Sequence, residues 1–529
     1  MVGLATVAVG AGLVSGVGPA APAVAAPVAP ESVPSQVGAL DAAKRHGTRV
    51  DIGDLTTETD RAWARPDGTI EWEHRFRPVR VKRDGGWRPV DLTLEKRSDG
   101  SVGPRVAAAD VAFAGGGSHA MVTMGHEGDR VGLDSPTGAL PEPQLSGDTA
   151  VYRDVLPGVD LQLRADVDGF AQVFVVKTPQ AAKQSALRKL RFGLRGEGLA
   201  VRKVAGGNLS VVDDSGETAF VGGTPLMWDA SSEHAIEGDD RLVADTGPVS
   251  TVTMPVSVAD GALSITPDVA LLTDEAVYPI FIDPSMTAPR RTWGMVNSAA
   301  PNTSYYNSTS EAMIGTPNAG ATIYRSYFAI NADSIPWDTN YVVSSTLNIQ
   351  NTYSASCTPT AWGAYSVGGS LNASTTWNNP MSWKVLQHQT SEGYGRTGCG
   401  DPTVVKVPLT DLTRAYQTSS AASIAFGVRA LSETETRGYK RFSNNPTLTV
   451  VYTAYSTASL LATSPLTACP TGTIRGYVGP SPTLQAKVTD PEGGQIVGQF
   501  EWTPVSGGTG LLHQLVTVLV RRPDWPVES

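Results

Sequence analysis

Apolar and polar side chains alternate along short segments of this chain, and the alternation predicts β-strands. Between residues 70 and 77 the even positions hold Ile, Trp, His and Phe, and the odd positions hold Glu or Arg. A period of two places these two sets on opposite faces of a half-buried strand. The Asp-Gly-Gly sequence at 84–86 and a second alternating segment at 90–94 then predict a β-hairpin.

The same pattern recurs further along the chain. Alternation at 161–163, an Asp-Gly turn at 168–169 and an apolar segment at 173–176 predict a second hairpin. Residues 180–190 instead favour a helix, because a proline stands at the start of this segment and a glycine follows its end. We also expect a short helix around residues 38–46, within a linker that begins rich in Pro and Ala.

The composition of the chain changes near residue 285. Charged side chains are frequent before residue 290 and sparse between 291 and 455, where Ser, Thr and Asn become frequent. Strand signals recur there at the spacing of a β-sandwich, which we expect to be a jelly roll. The segments that carry these signals are TIYRSYFAI, VVSSTLNI, TAWGAYSV, TVVKVPL, SIAFGVRAL and TLTVVYTAY.

The length of 529 residues suits roughly three domains. The sequence predicts a mainly β fold, in which an N-terminal β-rich domain is followed by a jelly-roll β-sandwich and a partial immunoglobulin-like C-terminal module. That last module is too short to close a sandwich, which suggests a truncated end. The predicted divisions are a signal peptide at 1–25, a linker at 26–60, the N-terminal domain at 61–285, the jelly roll at 286–455 and the partial module at 456–529.

The N-terminal segment has the features of an export signal. Its first thirty residues contain no charged side chain, and the apolar stretch ends in the small-x-small sequence Ala23-Val24-Ala25. We expect cleavage after Ala25 and a location outside the cell or at its surface. The basic residues that usually precede such a stretch are missing, so the true start codon is left open. No other segment approaches 18 consecutive apolar residues, and no further membrane span is predicted.

The net charge limits the class of molecule that the chain can bind, and the cysteines indicate a disulfide. The formal net charge is -10 and no segment is dense in Lys or Arg, which argues against binding to nucleic acid. Of the three cysteines, Cys357 and Cys399 bracket one Ser- and Gly-rich segment, so we expect them to form a disulfide. Cys469 is then left over.

Catalytic and cofactor motifs are missing from the sequence. It has no zinc-binding His pair, nucleophile elbow, phosphate loop or dinucleotide fingerprint in the required context. The carboxylate pairs Glu433/Glu435 and Asp166/Asp168 suit either solvated turns or acid–base work on a glycosidic bond, and we favour turns. Segments 166–169 and 490–493 resemble calcium loops without the twelve-residue spacing, so structural calcium stays unassigned. We therefore predict no cofactor and no enzyme.

Aromatic residues between 375 and 396 are the remaining signal of function. Sugar rings expose flat apolar faces, and proteins that bind them supply aromatic platforms flanked by polar groups. A loop-like segment offers this combination, although a tryptophan there also suits core packing, and we assign Trp293, Trp337 and Trp362 to the core. The candidate ligand-binding residues of this segment are Trp377, Asn378, Trp383, Tyr394 and Arg396.

Several longer segments resemble a known family. TIYRSYFAIN, STLNIQ, STTWNNP and ETRGYKRFSNNPTLTVVY are similar, in order and spacing, to the DNRLRE-type domain, also described as carbohydrate-binding module family ninety-six. The resemblance covers about residues 290–455. It implies a jelly-roll module for polysaccharide binding or wall-surface scaffolding, with Arg325 and Trp377 as ligand residues. Segments 152–163, 169–170 and 278–285 resemble the region that precedes such domains in exported proteins of high-GC Gram-positive bacteria.

Two functional hypotheses follow. The first is a secreted or cell-surface, non-catalytic protein whose β-sandwich binds or scaffolds a polysaccharide or cell-wall glycan. The second is the N-terminal portion of a larger exported enzyme or Rhs-type effector whose catalytic part is missing. The ragged C-terminal sequence keeps the second hypothesis open.

Overall fold

The fold is known from a computed structural model. It describes residues 30–196, 198–204, 208–230, 252–283, 286–288, 293–308, 310–331, 340–419, 423–454, 457–464, 483–489, 496–500 and 516–520. The predicted signal peptide, Trp337 and Cys469 lie outside these residues. The helices are Gln36–His46, Pro179–Ala182 and Thr410–Ser419, with 3-10 turns at Gly53–Leu55, Ser185–Arg188 and Thr436–Gly438, and most of the remaining elements are strands, so the predicted mainly β fold is confirmed.

Two sheets pack face to face to form the first sandwich. One has nine strands, in the order Ser32–Val33, Val50–Ile52, Asp60–Ala64, Ile70–Arg75, Thr447–Ala454, Asn340–Ser354, Lys440–Phe442 and Ala312–Ile314, with Thr403–Pro408 also paired to Asn340–Ser354. The other has six, in the order Tyr305–Tyr306, Trp293–Asn297, Tyr324–Asn331, Ser423–Ala430, Thr360–Gly368 and Ser382–Glu392. Their inner faces share one apolar core, which includes Trp72, Trp293 and Trp362.

The second sandwich lies between residues 79 and 288. Its eight-stranded sheet has the order Val256–Ala259, Ala262–Ile265, Leu190–Arg195, Asp129–Asp134, Ala120–His126, Asp110–Phe113, Val102–Val106 and Asp91–Lys96. The facing eleven-stranded sheet has the order Gln144–Ser146, Thr149–Leu156, Val159–Asp166, Gly169–Val176, Met286–Thr287, Thr218–Gly222, Leu209–Val212 and Ala200–Lys203, with Leu226–Asp229, Val252–Thr253 and Ile280–Asp283 attached. A separate apolar core joins the two sheets.

The second sandwich is inserted into the first, which differs from the predicted division at residue 285. Strand Ile70–Arg75 pairs antiparallel with Thr447–Ala454 and belongs to the first sandwich. The predicted linker at 26–60 also belongs there, because helix Gln36–His46 buries Ala39 and Ala43 in the shared core. The helix that we expected around 38–46 is thereby confirmed.

Some of the predicted strands, turns and helices are confirmed, and others are wrong. All six strand signals between 291 and 455 are strands, and the hairpin at 161–176 is confirmed, with Asp166 paired to Gly169 across its turn. The turn at 84–86 joins Arg80–Arg83 to Gly86–Pro89, and the two predicted flanking strands pair elsewhere. The predicted helix at 180–190 is reduced to two short turns, because Leu190 already begins a buried strand opposite Ile265.

Arg77 occupies the point where the chain leaves the first sandwich for the second. Its backbone N–H donates to Oδ1 of Asn445 at 2.8 Å, in the first sandwich. Its guanidinium contacts carboxylate oxygens of Asp166 at 2.5 Å and Asp168 at 2.7 Å, in the hairpin of the second. Burial alone would raise the pKa of Asp166, but Arg77 overrides this effect and holds that pKa below its usual value.

Two antiparallel pairs of strands form the described C-terminal part. Thr457–Ser464 pairs with Thr483–Thr489, and Ile496–Phe500 pairs with Val516–Val520. The predicted disulfide is present further upstream: Cys357 and Cys399 are joined with a Cα–Cα distance of 4.7 Å. Within the described residues, no helix is both long and apolar enough to cross a membrane.

Removing the disulfide should weaken the fold mainly through the unfolded state. The bond closes a loop with a sequence separation of 42, which corresponds to about 4 kcal/mol on the chain-entropy model. We expect Cys357→Ser/Cys399→Ser to lower the free energy of unfolding by up to that amount in urea titrations. The reduced wild type should behave like the variant, and equal stability of the oxidised wild type and the variant would contradict the expectation.

Arg77→Met should destabilise the protein by about 3 to 5 kcal/mol, because it removes the guanidinium that both buried carboxylates contact. A carboxyl whose folded pKa is depressed contributes stability above its unfolded pKa, near 4, and loses it as the pH falls through the folded pKa. The wild type should therefore lose stability relative to the variant below about pH 4 in calorimetry. Arg130→Met, which breaks an exposed pair with Asp110, is the control and should cost about 1 kcal/mol or less.

Candidate functional site

A polar groove of about 630 Å³ lies on the outer face of the nine-stranded sheet. Four adjacent strands form its floor: Ile70–Arg75, Thr447–Ala454, Asn340–Ser354 and Thr403–Pro408. Alternate side chains of each strand enter the core or the groove, as the period of two requires. Trp72 is buried in the core, and its neighbours Glu71 and Glu73 point into the groove.

Strand register arranges the groove residues in rows that cross the sheet. One row runs from Arg75 through Thr447 and Asn348 to Lys406. The next runs from Glu73 through Thr449 to Thr346. Directly opposed side chains on neighbouring strands lie close enough to contact one bound molecule together. The complete lining is Glu71, Glu73, Arg75, Thr346, Asn348, Gln350, Val404, Lys406, Ser443, Asn445, Thr447 and Thr449.

Several charged groups in the groove have no partner in the part of the protein that the structure describes. Among the described residues, no hydrogen bond or salt bridge engages the side chains of Glu73, Arg75 or Lys406. Glu71 is paired with Arg49 at 3.4 Å. The remaining lining groups are amides, hydroxyls and one valine, so the groove offers both donors and acceptors with no excess of either charge. Such a surface suits a ligand that carries many hydroxyl groups.

One aromatic side chain stands beside the groove. Trp63 is paired across the strands with the groove residue Glu71, and the period of two places both on the outer face. The guanidinium groups of Arg49 and Arg61 lie 4.8 and 5.1 Å from the centre of its ring. Both distances are those of cation–π contacts, so these arginines compete with any ligand for the ring. None of the twelve lining residues is aromatic.

Arg325 and Trp377, which the family resemblance suggested, lie on the outer face of the other sheet. The Arg325 guanidinium forms two hydrogen bonds, of 2.8 and 2.7 Å, to the Glu433 carboxylate, and this raises the pKa of Arg325. It also covers the Trp377 ring at 4.4 Å from the centroid. Asn378 is exposed, and its amide donates to Asn302 at 2.8 Å. These contacts are made within the protein.

Trp383 is held against the same sheet. Its ring lies 5.1 Å from Tyr327 and 5.4 Å from Tyr365, and the Arg429 guanidinium lies 4.8 Å from it. Burial raises the pKa of Tyr327 to about 12. Trp377 and Trp383 are both half-buried against a small apolar cluster outside the main core. Packing within the protein thus covers much of the surface of both rings. Core packing was one of the two interpretations that the sequence left open for a tryptophan in this segment, and ligand binding was the other.

Tyr394 and Arg396 are far from Trp383. All three belong to one continuous stretch, but Trp383 is near the start of strand Ser382–Glu392, and the other two follow its end. Nine extended residues span about 30 Å. The backbone N–H of Tyr394 donates to Oδ1 of Asn351, and the Arg396 guanidinium donates to the carbonyl of Ala355. The structure therefore divides the predicted cluster between two ends of one strand.

The carboxylate pairs that we considered for acid–base chemistry contact arginines. Glu433 binds Arg325, and Glu435 binds Arg437. Asp166 and Asp168 bind Arg77, as described above. Within the described part of the chain, no group of three or more His, Cys, Asp or Glu side chains has an arrangement that would hold a metal ion.

Most groove residues were missed because their signal is weak in the sequence. Glu71, Glu73 and Arg75 were recognised as one face of a strand, but nothing in the sequence marked that face as concave. Asn348 and Lys406 lie on strands that were also predicted, although their register with strand Ile70–Arg75 depends on pairing between distant segments. The alternation identified which side chains share a face of each strand. It did not determine which strands are neighbours in the sheet.

Trp377→Ala should affect folding more than binding, because this ring is partly buried against an apolar cluster and is covered by Arg325. We expect the variant to lose about 2 to 3 kcal/mol of unfolding free energy, less than the 3 to 5 typical of a fully buried Trp. Denaturant titration is the measurement. Trp87→Ala, at an exposed strand position, should change it by about 0.5 kcal/mol or less, and equal effects would contradict the assignment.

Comparisons with known proteins give only distant likenesses. No protein-family model matches the chain, and no curated protein matches it. Among solved structures, it is similar to BuGH86 in complex with neoagarooctaose (8% identity, TM-score 0.15) and to the β-porphyranase BpGH86A of glycoside hydrolase family 86 from Bacteroides plebeius (10%, 0.15). It covers 34% and 39% of those two chains, with 56% and 58% of its own length. The N-terminal domain of the Streptococcus gordonii adhesin Sgo0707 is matched over 93% of its length and 75% of this chain, at 8% identity and a TM-score of 0.14. Scores this low carry no argument about function.

Proposed function

We propose that this chain is an exported, non-catalytic protein that binds a polysaccharide in the groove of the nine-stranded sheet. The observation that carries the proposal is the set of three charged side chains, Glu73, Arg75 and Lys406, that line a concave surface and have no hydrogen-bond or ion-pair partner among the described residues. Export is supported by the signal-like sequence that ends at Ala25.

The shape and chemistry of the groove suit an extended sugar chain. Four strands at about 4.8 Å spacing make a floor about 14 Å wide, open enough for several linked rings. Sugar hydroxyls both donate and accept hydrogen bonds, and the lining supplies amides, hydroxyls and charges of both signs. Because positive and negative groups are present in equal number, we infer that the preferred ligand is a neutral polysaccharide.

Binding without hydrolysis is supported by the state of the carboxylates. Glycoside hydrolysis uses two carboxyl groups, one of which donates a proton to the leaving oxygen. In the groove, Glu71 is paired with Arg49. Glu73 therefore has no second unpaired carboxylate beside it in the groove lining. Glu71 is thus occupied by an ion pair, which leaves Glu73 to contact a bound sugar chain.

Lys406→Ala and Glu73→Gln should each weaken retention of the full chain in affinity gels that contain neutral polysaccharides such as β-glucan, xylan, galactomannan or agarose. Loss of a charge-assisted hydrogen bond should raise the apparent Kd about tenfold or more. The matched controls are Lys384→Ala and Glu435→Gln, exposed positions outside the groove.

Three results would count against the proposal. If none of these polymers retains the wild type, polysaccharide binding is ruled out. If the groove variants and the control variants are retained equally, the binding site lies elsewhere. Release of reducing ends by the wild type, abolished in Glu73→Gln, would show that the groove is catalytic.

A further inference from the structure

We propose that Arg429 forms a second saccharide site, on the outer face of the six-stranded sheet, that binds the carboxylate of a uronic acid. This site is on the opposite side of the first sandwich from the groove. It does not depend on the groove or on its ligand.

Arg429 is held in a corner formed by two aromatic rings. Strand Ser423–Ala430 buries Val428 in the main core and also buries Ala430, so Arg429 between them projects outward. The guanidinium carbon lies 4.5 Å from the ring centre of Tyr365 and 4.8 Å from that of Trp383. The two rings meet at 87°, so they contact the cation from two directions. Cation–π contacts on both rings fix the plane of the guanidinium.

Two glycines make the corner possible. A Cβ at Gly427 would lie 2.8 Å from the Trp383 ring, so a larger residue would displace that ring from the strand. A Cβ at Gly363 would lie 2.6 Å from Leu386 and 2.9 Å from the edge of Tyr365. Both approaches are closer than real Cβ contacts allow. The backbone is therefore shaped to let these side chains converge around Arg429.

The hydrogen-bonding edge of Arg429 faces no acceptor that the structure describes. Among the described residues, none accepts a hydrogen bond from its guanidinium, and none of their carboxylates lies within the 4.0 Å of a salt bridge. Nearby Arg325 differs, because Glu433 occupies its guanidinium with two hydrogen bonds. Stacking engages the faces of a guanidinium and leaves its N–H groups to bind a carboxylate in bidentate fashion. Arg429 is thus oriented, and no carboxylate in the described part of the chain is paired with it.

Apolar side chains beside Arg429 favour a ligand with an apolar face. Leu386 and Leu431 are 42% and 43% exposed, and both approach the position of Gly363 next to Tyr365. A sugar ring presents C–H groups that pack on such surfaces, and a uronic acid adds a carboxylate to the same ring. The chain as a whole has a net charge of -10, so polyanions gain no general attraction and need this local contact.

The test uses polygalacturonate as the probe, with neutral galactan and polyglutamate as comparison polymers, and the full oxidised chain. The wild type should bind polygalacturonate and should bind the other two at least tenfold more weakly. Arg429→Gln should raise the Kd for polygalacturonate about tenfold to a hundredfold, as expected for loss of a charged, bidentate contact. Arg429→Lys should recover only part of the affinity, because lysine lacks the planar fork.

Arg414→Gln is the matched control. Its guanidinium also lies on an aromatic ring, 4.9 Å from the centre of Tyr341, but it donates to the carbonyls of Val342 and Val343. This variant should keep wild-type affinity for polygalacturonate. Thermal unfolding of each variant separates a loss of binding from a loss of fold, and Arg429→Lys, which retains the charge and most of the side chain, guards against misfolding.

Several outcomes would overturn the inference. The first is that the wild type does not bind polygalacturonate. The second is that the wild type and Arg429→Gln bind polygalacturonate with equal affinity. The third is that the wild type binds polyglutamate as tightly as polygalacturonate, which would reduce the site to simple charge attraction. Lys406→Ala separates this inference from the proposed function. If that groove variant loses polygalacturonate binding while Arg429→Gln retains it, the acidic sugar belongs to the groove and the second site does not exist.

Discussion

The pairing of strand Ile70–Arg75 with strand Thr447–Ala454 is the interaction on which the rest of this structure depends. It joins two segments of the first sandwich that are far apart in the sequence, and it places Phe76 against Phe328 and Phe426 of the facing sheet. These contacts close the apolar core between segments that are separated in the sequence by the whole second sandwich. Burial of aromatic area of this kind is a dominant favourable term in folding.

The insertion that results requires a defined crossing between the two sandwiches. Arg77 follows the paired strand directly and is held on both sides, by Asn445 through its backbone and by Asp166 and Asp168 through its side chain. A buried cation flanked by two carboxylates is costly to separate, because each charge would lose its compensation. The relative position of the two sandwiches is therefore tied to the same strand that builds the core and the groove.

The two outer faces of the first sandwich differ in chemistry for a reason that lies in strand composition. The nine-stranded sheet exposes hydroxyls, amides and charges of both signs, and it forms a polar groove. The six-stranded sheet exposes aromatic rings stacked with arginines, and part of this face is covered by the segment that carries Trp377. Two surfaces of unlike polarity suit two kinds of ligand group, neutral hydroxyls on one side and a carboxylate on the other.

The sequence by itself determined many of the strands and the faces of those strands. Alternation located strand Ile70–Arg75 and assigned Glu71 and Glu73 to its outer side, and the spacing of Cys357 and Cys399 predicted their disulfide. These features depend on neighbours within one segment, where the period of a strand fixes the direction of each side chain. Tertiary structure alone decided which strands pair, because many segments share similar alternation and only complementary packing selects among them. The groove row that joins Arg75 to Lys406, the corner around Arg429 and the separation of Trp383 from Tyr394 all arise from that selection.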